Sequence, residues 1–165
     1  MAINHWDFRF LELAQHISKW SKDLSTKCGA IIVRPDRTIA SLGYNGFPRG
    51  IKDSIELLNN REEKYRRVVH GEMNALLNSS EKLEGYTLYN WPFLSCERCA
   101  VHIIQTGISR IVTAPCPEDK LERWGESFKL SEELFLEAKI PIDYLHFQKT
   151  DIELPEYATD FLNDR

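Results

Sequence analysis

A chain of 165 residues is long enough for one domain whose hydrophobic core needs no disulfide framework. Its apolar fraction of 42% and charged fraction of 28% are typical of a soluble globular protein. The net charge is -4, and the lysines and arginines are scattered. Nucleic-acid binders usually carry a basic face, so this composition disfavours nucleic acid as a partner and favours a small substrate.

The sequence predicts neither a signal peptide nor a membrane helix, because no apolar run approaches the roughly 20 residues that cross a bilayer. Cys96 and Cys99 are spaced as a metal-binding pair, which argues against a disulfide framework. Cys28 and Cys116 lie in or beside apolar strand-like runs and are predicted to be small core residues. We expect a cytoplasmic protein, since that compartment keeps thiols reduced.

The first part of the chain predicts a helix followed by a hairpin. Apolar residues at alternating steps of four and three predict a packing helix over roughly residues 5–22. Two apolar runs, residues 28–33 and 38–42, flank a Pro-Asp-Arg turn and predict two paired strands. Residues 43–50 are too rich in glycine and proline to continue the sheet. The charged residues 51–67 predict a helical excursion with a solvated face.

The second part alternates helices with strands. The patterns predict three helices and three strands, in the order helix 70–78, strand 86–90, helix 96–105, strand 109–114, helix 124–139 and strand 140–145. Together with the hairpin, this order predicts a three-layer α/β domain with a mixed sheet of five strands. The helix before the last strand supplies the crossover that a parallel pair requires. We expect one domain over residues 1–149 and a C-terminal tail over residues 150–165.

Two short clusters carry the candidate chemistry. His70 offers an imidazole, and Cys96 and Cys99 offer two thiolates, which are donors that zinc prefers. The two cysteines are three residues apart at a predicted helix start, so both sulfurs lie on one face near backbone N–H groups that stabilise thiolates. Three protein ligands leave the fourth position of a tetrahedral zinc for water. The pattern therefore indicates a catalytic zinc site.

Glu72 follows the histidine by two residues and is the candidate proton shuttle. A carboxylate that is not a ligand can take the proton of the attacking water and later return it to the substrate. His-x-Glu combined with Cys-x-x-Cys is the signature of zinc deaminases, so the pattern predicts hydrolytic deamination of a nucleobase.

His102 provides an alternative. It continues the series Cys96, Cys99, His102 at steps of three, and with His70 it would close a structural site of two cysteines and two histidines. Such a site would have no position for water and would leave Glu72 without a role. We expect His102 to be a half-buried helix residue instead.

The quoted motifs resemble those of a known family. Residues 28–30, 43–50, 69–75 and 96–100 are similar, in order and spacing, to deoxycytidylate (dCMP) deaminases of the zinc-dependent cytidine and deoxycytidylate deaminase superfamily. The resemblance covers roughly residues 5–145. It implies a three-layer α/β/α sandwich with a five-stranded mixed sheet.

The resemblance also implies roles for individual residues. Zn²⁺ is expected on His70, Cys96 and Cys99, with Glu72 as the proton shuttle. Asn45 corresponds to the family's asparagine that binds the sugar hydroxyl, and Ser21 and Lys22 lie in the loop expected to hold the 5′-phosphate. A hydroxyl and a compact cation suit that group. Gly71 replaces the family's usual alanine, and its backbone N–H is expected to meet a pyrimidine carbonyl.

The resulting hypothesis is a zinc hydrolase that converts dCMP to dUMP and ammonia. The family implies a homo-oligomer, a hexamer or a dimer, with dCTP and dTTP as candidate effectors. Two alternatives stay open at this point. One is deamination of a modified or different cytosine nucleotide, or of a base in RNA. The other is a non-catalytic nucleotide-binding module whose zinc is structural.

Overall fold

Five strands and six helices make up the computed structural model, which describes residues 3–146. The helices are α1 (His5–Ser18), α2 (Ile55–Asn59), α3 (Arg61–Arg67), α4 (Gly71–Asn78), α5 (Glu97–Gln105) and α6 (Glu118–Glu137). The strands are β1 (Gly29–Val33), β2 (Ile39–Tyr44), β3 (Thr87–Trp91), β4 (Arg110–Thr113) and β5 (Ile142–Tyr144). The predicted tail, residues 150–165, lies outside the described residues, so the division of the chain at residue 149 stays a prediction.

The strands form one mixed sheet in the order β2-β1-β3-β4-β5. Strand β1 is antiparallel to both β2 and β3, as the predicted hairpin requires. Strands β3, β4 and β5 are parallel to one another, with α5 and α6 as the crossovers between them. The five-stranded mixed sheet is therefore confirmed.

Helices cover both faces of this sheet. Helix α1 packs on one face in a hydrophobic cluster made by Phe10, Leu11, Ala14, Ile17, Ile31, Val33, Tyr89, Val112 and Leu145. Helices α4, α5 and α6 contribute to the larger cluster on the other face, which includes Ala30, Ile32, Ala75, Leu88, Ala100, Ile103, Ile111, Phe128 and Phe135. Alternate residues of β1 point to opposite clusters, as the period of a strand dictates. The three-layer α/β/α sandwich is confirmed.

Several helix boundaries differ from the predicted ones. The first helix ends at Ser18 instead of residue 22, and Trp20 and Leu24, which continue the apolar spacing, are exposed. The charged segment 51–67 forms two short helices, α2 and α3. The last helix begins at Glu118, well before residue 124, because the acidic residues that follow Pro117 favour a helix start. Within the described residues, no helix is both long and apolar enough to cross a membrane.

Strand β2 lies very close to α4 at Gly43. A Cβ atom added to Gly43 would stand 2.3 Å from the backbone nitrogen of Ala75 and 2.4 Å from the backbone oxygen of Gly71. Both atoms belong to the backbone of α4, so no side-chain rotation relieves the overlap. Helix α4, which follows His70, thus packs directly on strand β2 at Gly43. The strand continues through Gly43 and Tyr44, although glycine was expected to end it.

We predict that Gly43→Ala destabilises the protein by about 3 kcal/mol, the upper end of the cost of overpacking, because α4 has to move away from β2. Displacement of α4 also moves His70, so zinc affinity should fall. Urea unfolding and zinc content per chain measure the two effects. Gly46→Ala is the matched control, because a Cβ at Gly46 meets nothing within 4 Å. Equal stability of the two variants would contradict the close packing.

A buried ionic network joins α1 to the parallel strands. The carboxylate of Asp7 accepts hydrogen bonds from Nη1 and Nη2 of Arg110 at 2.7 and 3.0 Å and from the hydroxyl of Tyr89 at 2.7 Å. Nε of Arg110 also donates to Asp143 at 2.7 Å. Burial alone would raise the pKa of Asp7, but the hydrogen bonds from Arg110, Asn4 and Tyr89 outweigh burial and lower it. The network therefore holds the Asp7 carboxylate in its charged form.

We predict that Asp7→Asn destabilises the protein by about 3 kcal/mol at neutral pH, because it leaves a buried arginine short of one charge partner. A lowered pKa in the folded state means that Asp7 stabilises the fold above its unfolded pKa and that this contribution disappears as the pH falls through the folded pKa. The difference between Asp7→Asn and the wild type should therefore shrink in acid. Urea titrations across pH measure it, with Asp53→Asn, which breaks an exposed ion pair, as the control.

Candidate active site

The predicted zinc donors lie together at the starts of two helices. Nδ1 of His70 is 3.5 Å from Sγ of Cys96 and 3.4 Å from Sγ of Cys99. His70 is the N-cap of α4, Cys96 is the N-cap of α5, and Cys99 lies in the first turn of α5. Within the described residues, this is the one group of histidine, cysteine and acidic side chains arranged to hold a metal ion.

The donor set fits zinc. In a tetrahedral site with the usual zinc–sulfur and zinc–nitrogen bond lengths, the nitrogen and sulfur ligands stand roughly 3.6 Å apart. The observed separations of 3.4 and 3.5 Å agree with that value. Two thiolates and one imidazole complete three corners of such a site, which leaves the fourth for a water or a substrate group.

The surrounding structure places His70 from both sides. Before the helix, Gly46 and Val69 exchange two backbone hydrogen bonds, of 3.1 and 2.9 Å, which tie the chain entering α4 to the loop after β2. After it, the contact of α4 with Gly43 fixes the helix against the sheet. The histidine is thus held at a junction between two rigid backbone contacts.

The pKa values of the three donors shift in different directions. A hydrogen bond from the Cys99 thiol, aided by His70, lowers the pKa of Cys96 to about 4. The same contact raises the pKa of Cys99, and the hydrogen bond with Cys96 raises the pKa of His70 to about 9. A metal ion coordinates deprotonated donors only, so binding here has to displace protons from His70 and Cys99.

Glu72 is buried in the first turn of α4, with 4% of its surface exposed. Burial raises the pKa of its carboxyl above the usual value, while the charge of His70 acts in the opposite direction. A buried carboxyl that is not itself a metal ligand can accept a proton and give it back. The structure therefore places the predicted proton shuttle beside the metal donors.

His102 does not belong to this group. Its side chain is exposed on α5, and its Nδ1 lies 2.6 Å from the backbone oxygen of Arg98. The expectation of a half-buried residue is wrong, because His102 lies on the outer face of the helix. The closed site of two cysteines and two histidines is excluded by this orientation.

A cleft opens above the metal donors. Its floor includes His70, Glu72 and Cys96, and one wall comes from the loop after α1 and from the loop after β2. Three aromatic residues also line the cleft, with the ring of Phe93 5.2 Å from that of Phe128 and the ring of Trp124 6.3 Å from that of Phe128. The remaining lining residues are Asp23, Ser25, Thr26, Cys28, Asn45, Tyr65, Val68, Asn90, Leu94 and Arg123.

Asn45 lines this cleft, and its amide is engaged with the wall. Its Oδ1 accepts a hydrogen bond from the backbone N–H of Cys28 at 2.7 Å, and its Nδ2 donates to the backbone oxygen of Thr26 at 2.9 Å. Asn45 therefore holds the loop after α1 in place. Its predicted contact with a sugar hydroxyl stays a prediction.

Ser21 and Lys22 lie apart from the lining residues of the cleft. Ser21 is buried, and its hydroxyl donates to the backbone oxygen of Asn45 at 2.8 Å. Lys22 is exposed, and its Nζ pairs with Asp53 at 2.6 Å. The loop that contains them does reach the cleft, but through Asp23, Ser25 and Thr26. Their predicted role in phosphate binding stays a prediction.

Gly71 begins α4 and faces Cys28. A Cβ on Gly71 would stand 3.3 Å from the backbone carbon and oxygen of Cys28, a tight contact. Cys28 lines the cleft beside Glu72, instead of lying in the core as the sequence suggested. Glycine at position 71 therefore allows the backbone of Cys28 to lie close to the start of α4. The contact of Gly71 with the pyrimidine stays a prediction.

Two buried polar atoms of the cleft residues have no hydrogen-bond partner within the described part of the chain. They are Oδ1 of Asn90, an acceptor, and Nε1 of Trp124, a donor. Burial of an unsatisfied polar atom costs free energy, so both atoms call for a ligand or water that supplies the missing donor and acceptor. Neither residue could be singled out from the sequence, since both lie in segments whose apolar residues explain the pattern.

The charged segment before His70 also contributes to the cleft. Lys64 is buried, and its Nζ contacts Oδ1 of Asp23 at 3.0 Å and the hydroxyl of Ser25 at 2.6 Å. Tyr65 lines the cleft itself. The interpretation of this segment as a solvated face is therefore wrong for Lys64, whose partners in the fold were not visible from the local charge pattern, whereas Tyr65 is exposed.

A three-layer sandwich that brings one histidine, two cysteines and a buried glutamate to one cleft defines the class of zinc-dependent deaminases. Residues 4–115 match the family described as the cytidine and deoxycytidylate deaminase zinc-binding region, and the chain belongs to that family. It is a hydrolytic deaminase with zinc as its cofactor.

Three known proteins illustrate the relationship. An uncharacterized deaminase in the luxG 3′ region of Aliivibrio fischeri is 41% identical over 143 residues, which cover 87% of this chain and 95% of that protein. Deoxycytidylate deaminase of Mus musculus is 35% identical over 113 residues, 65% of this chain and 63% of that protein. The structure of dCMP deaminase from the cyanophage S-TIM5 in complex with dCMP and dUMP has a TM-score of 0.68 at 22% identity, covering 88% and 100% of the two chains, and supports the fold.

We predict that His102→Ala retains zinc, because its ring is directed away from the donors, whereas Cys99→Ser loses it, because zinc keeps only two of its three strong ligands. Metal analysis of the purified variants measures the zinc content per chain. Zinc loss in His102→Ala with retention in Cys99→Ser would contradict the assigned ligand set.

Proposed function

We propose that this protein catalyses the hydrolytic deamination of dCMP to dUMP and ammonia. The observation that carries the proposal is the buried carboxyl of Glu72 beside His70, Cys96 and Cys99 at the floor of a cleft. The relatives named deoxycytidylate deaminase support dCMP as the substrate. Hydrolysis of this amidine-like group needs an activated water and a group that moves protons, and the site offers both.

Each part of the cleft has a role in this reaction. His70, Cys96 and Cys99 would hold a zinc ion, which would supply the Lewis acidity that activates water. Glu72 accepts a proton from the water that attacks C4 of the cytosine ring and delivers this proton to the ring nitrogen N3. The carboxylate then takes the remaining proton from the hydroxyl that was added at C4 and passes it to the departing amine, so water and dCMP become dUMP and ammonia. Burial of Glu72 keeps bulk water away from these transfers.

The aromatic wall suits a pyrimidine. Phe93, Trp124 and Phe128 present ring faces or edges to the space above the donors, and a flat base packs favourably against such rings. Oδ1 of Asn90 offers an acceptor that a base or sugar donor would satisfy. Asn45 also lines the cleft, and we infer that it contacts the sugar, as the family resemblance implies.

We predict that Glu72→Gln retains zinc but loses at least about 100-fold in kcat, because glutamine fills the same space and cannot accept a proton. Turnover of dCMP followed by ammonia release, with zinc content measured on the same sample, checks this. Cys99→Ser is the companion variant and should lose both metal and activity. Near-normal turnover of Glu72→Gln would remove Glu72 from the proposed role.

The alternative substrates are separated by a panel of dCMP, dCTP, CMP, deoxycytidine and 5-substituted dCMP. A higher kcat/KM for another member of the panel would replace dCMP with that nucleotide. A zinc-loaded protein that binds nucleotides and turns over none of them would support the non-catalytic alternative. The three-donor site with a neighbouring carboxylate favours the enzyme.

We infer from the family resemblance that the enzyme acts as a homo-oligomer, a hexamer or a dimer, and that it is cytoplasmic. Sedimentation of the zinc-loaded protein determines the oligomeric state. Repetition of the dCMP assay with dCTP and dTTP tests whether these nucleotides are effectors. None of these properties is needed for the chemistry at Glu72.

A further inference from the structure

Asn90 brings an unsatisfied acceptor to the buried part of the cleft. It is 3% exposed, and it lines the cleft together with His70, Glu72 and Cys96. Within residues 3–146, its Oδ1 atom has no hydrogen-bond partner. A buried amide oxygen without a donor costs free energy, so this atom indicates a ligand or a water that carries an N–H or O–H group.

The orientation of the Asn90 amide is set by the surrounding chain. Its Nδ2 donates to the backbone oxygen of Phe93 at 2.8 Å and to the hydroxyl oxygen of Ser95 at 3.3 Å. A backbone carbonyl only accepts, so the amide nitrogen has to face Phe93 and the amide oxygen has to face the other way. The backbone of Asn90 is also fixed, because β3 pairs with β1 on one side and with β4 on the other. Oδ1 therefore has one position in which to meet a donor.

Asn90 lies close to the metal donors. Ser95, whose hydroxyl oxygen accepts from Nδ2 of Asn90, immediately precedes Cys96 at the start of α5. The backbone oxygen of Ser95 accepts a hydrogen bond from the hydroxyl of Ser131 at 2.8 Å, so this segment is anchored to α6. Asn90 is therefore linked to the residue next to a metal donor and belongs to the floor of the cleft, where Glu72 is buried.

Cytosine and uracil present opposite groups at C4. Cytosine carries an amine there, which donates hydrogen bonds, whereas uracil carries a carbonyl oxygen, which only accepts. In the proposed reaction C4 is attacked at the floor of the cleft, beside Glu72, so the amine is the donor of the base that comes nearest to Asn90. An acceptor at this position satisfies the substrate and opposes the product.

We propose that Oδ1 of Asn90 accepts a hydrogen bond from the 4-amino group of the cytosine ring and thereby favours the substrate over the uracil product. The inference rests on the proposed function for the position of C4 at the floor of the cleft. Two acceptor oxygens face each other once a carbonyl has replaced the amine, so Asn90 also promotes release of the product. Asn90 is then a specificity-determining residue and takes no part in proton transfer.

The test measures binding of dCMP and dUMP by calorimetry in the zinc-loaded Glu72→Gln background, in which dCMP is expected to persist. Asn90→Leu should weaken dCMP binding by about 3- to 10-fold, the net effect of one lost hydrogen bond between neutral groups. Binding of dUMP should stay within about twofold or become tighter, because a repelling oxygen is removed. Asn90→Ser, which fills less space, is the second variant, with the same expected difference between the two ligands.

Asn74→Leu is the matched control. Nδ2 of Asn74 donates to the backbone oxygen of Tyr44 at 2.7 Å, so this variant removes the same kind of hydrogen bond, but Asn74 lies outside the lining residues of the cleft. Both affinities should stay within about twofold. Equal losses of dCMP and dUMP affinity in Asn90→Leu would indicate a structural role or a contact with the sugar and would overturn the inference. Unchanged affinity for both nucleotides would mean that Oδ1 binds only water and would overturn it as well.

Turnover by the wild type separates this inference from the proposed function. If the wild type deaminates dCMP but the Asn90 variants affect dCMP and dUMP equally, the proposed function stands and the inference fails. If the wild type binds dCMP without turning it over, the proposed function fails. The inference then stands if Asn90→Leu weakens the binding of dCMP alone, and it falls if dUMP is weakened equally. A wild-type protein that binds neither nucleotide overturns both.

Discussion

The site depends on how closely the backbone of α4 approaches strand β2. The contact at Gly43 leaves no room for even one methyl group, so the start of α4 has a single position relative to the sheet. His70 and Glu72 lie at that start, and the cysteines at the start of α5 face them. A metal site needs its donors placed within a few tenths of an ångström, and a backbone-to-backbone contact supplies that precision better than flexible side chains do.

The cleft has a buried end and a more exposed end. The floor is buried and combines thiolates, an imidazole and a carboxyl whose pKa is raised by burial. The other end is more exposed, and there Arg61 on α3 and Arg123 on α6 both lie over the ring of Tyr65. Proton transfer gains from the exclusion of water, which the burial of Glu72 provides at the end formed by α4 and α5.

The sequence was sufficient for the architecture and the metal donors, because both depend on local patterns. The hairpin, the alternation of helices and strands and the pair Cys96 and Cys99 are each contained in a short segment. The cleft residues Tyr65 and Arg123 were missed for the opposite reason. Arg123 lies far along the chain from Tyr65, and only the packing of α6 beside α3 brings their side chains together. Similarly, the burial of Lys64 follows from Asp23, which is remote in sequence.

The two hydrophobic clusters of the core differ in whether they contain metal donors. The cluster under α1, together with the network of Asp7 and Arg110, contains none of the metal donors. The packing on this face of the sheet therefore uses no metal donor, unlike that of a zinc finger, whose folding requires the ion. The cluster on the other face includes Cys99, so we expect removal of zinc to loosen the side of the sheet that carries α4 and α5 more than the side that carries α1.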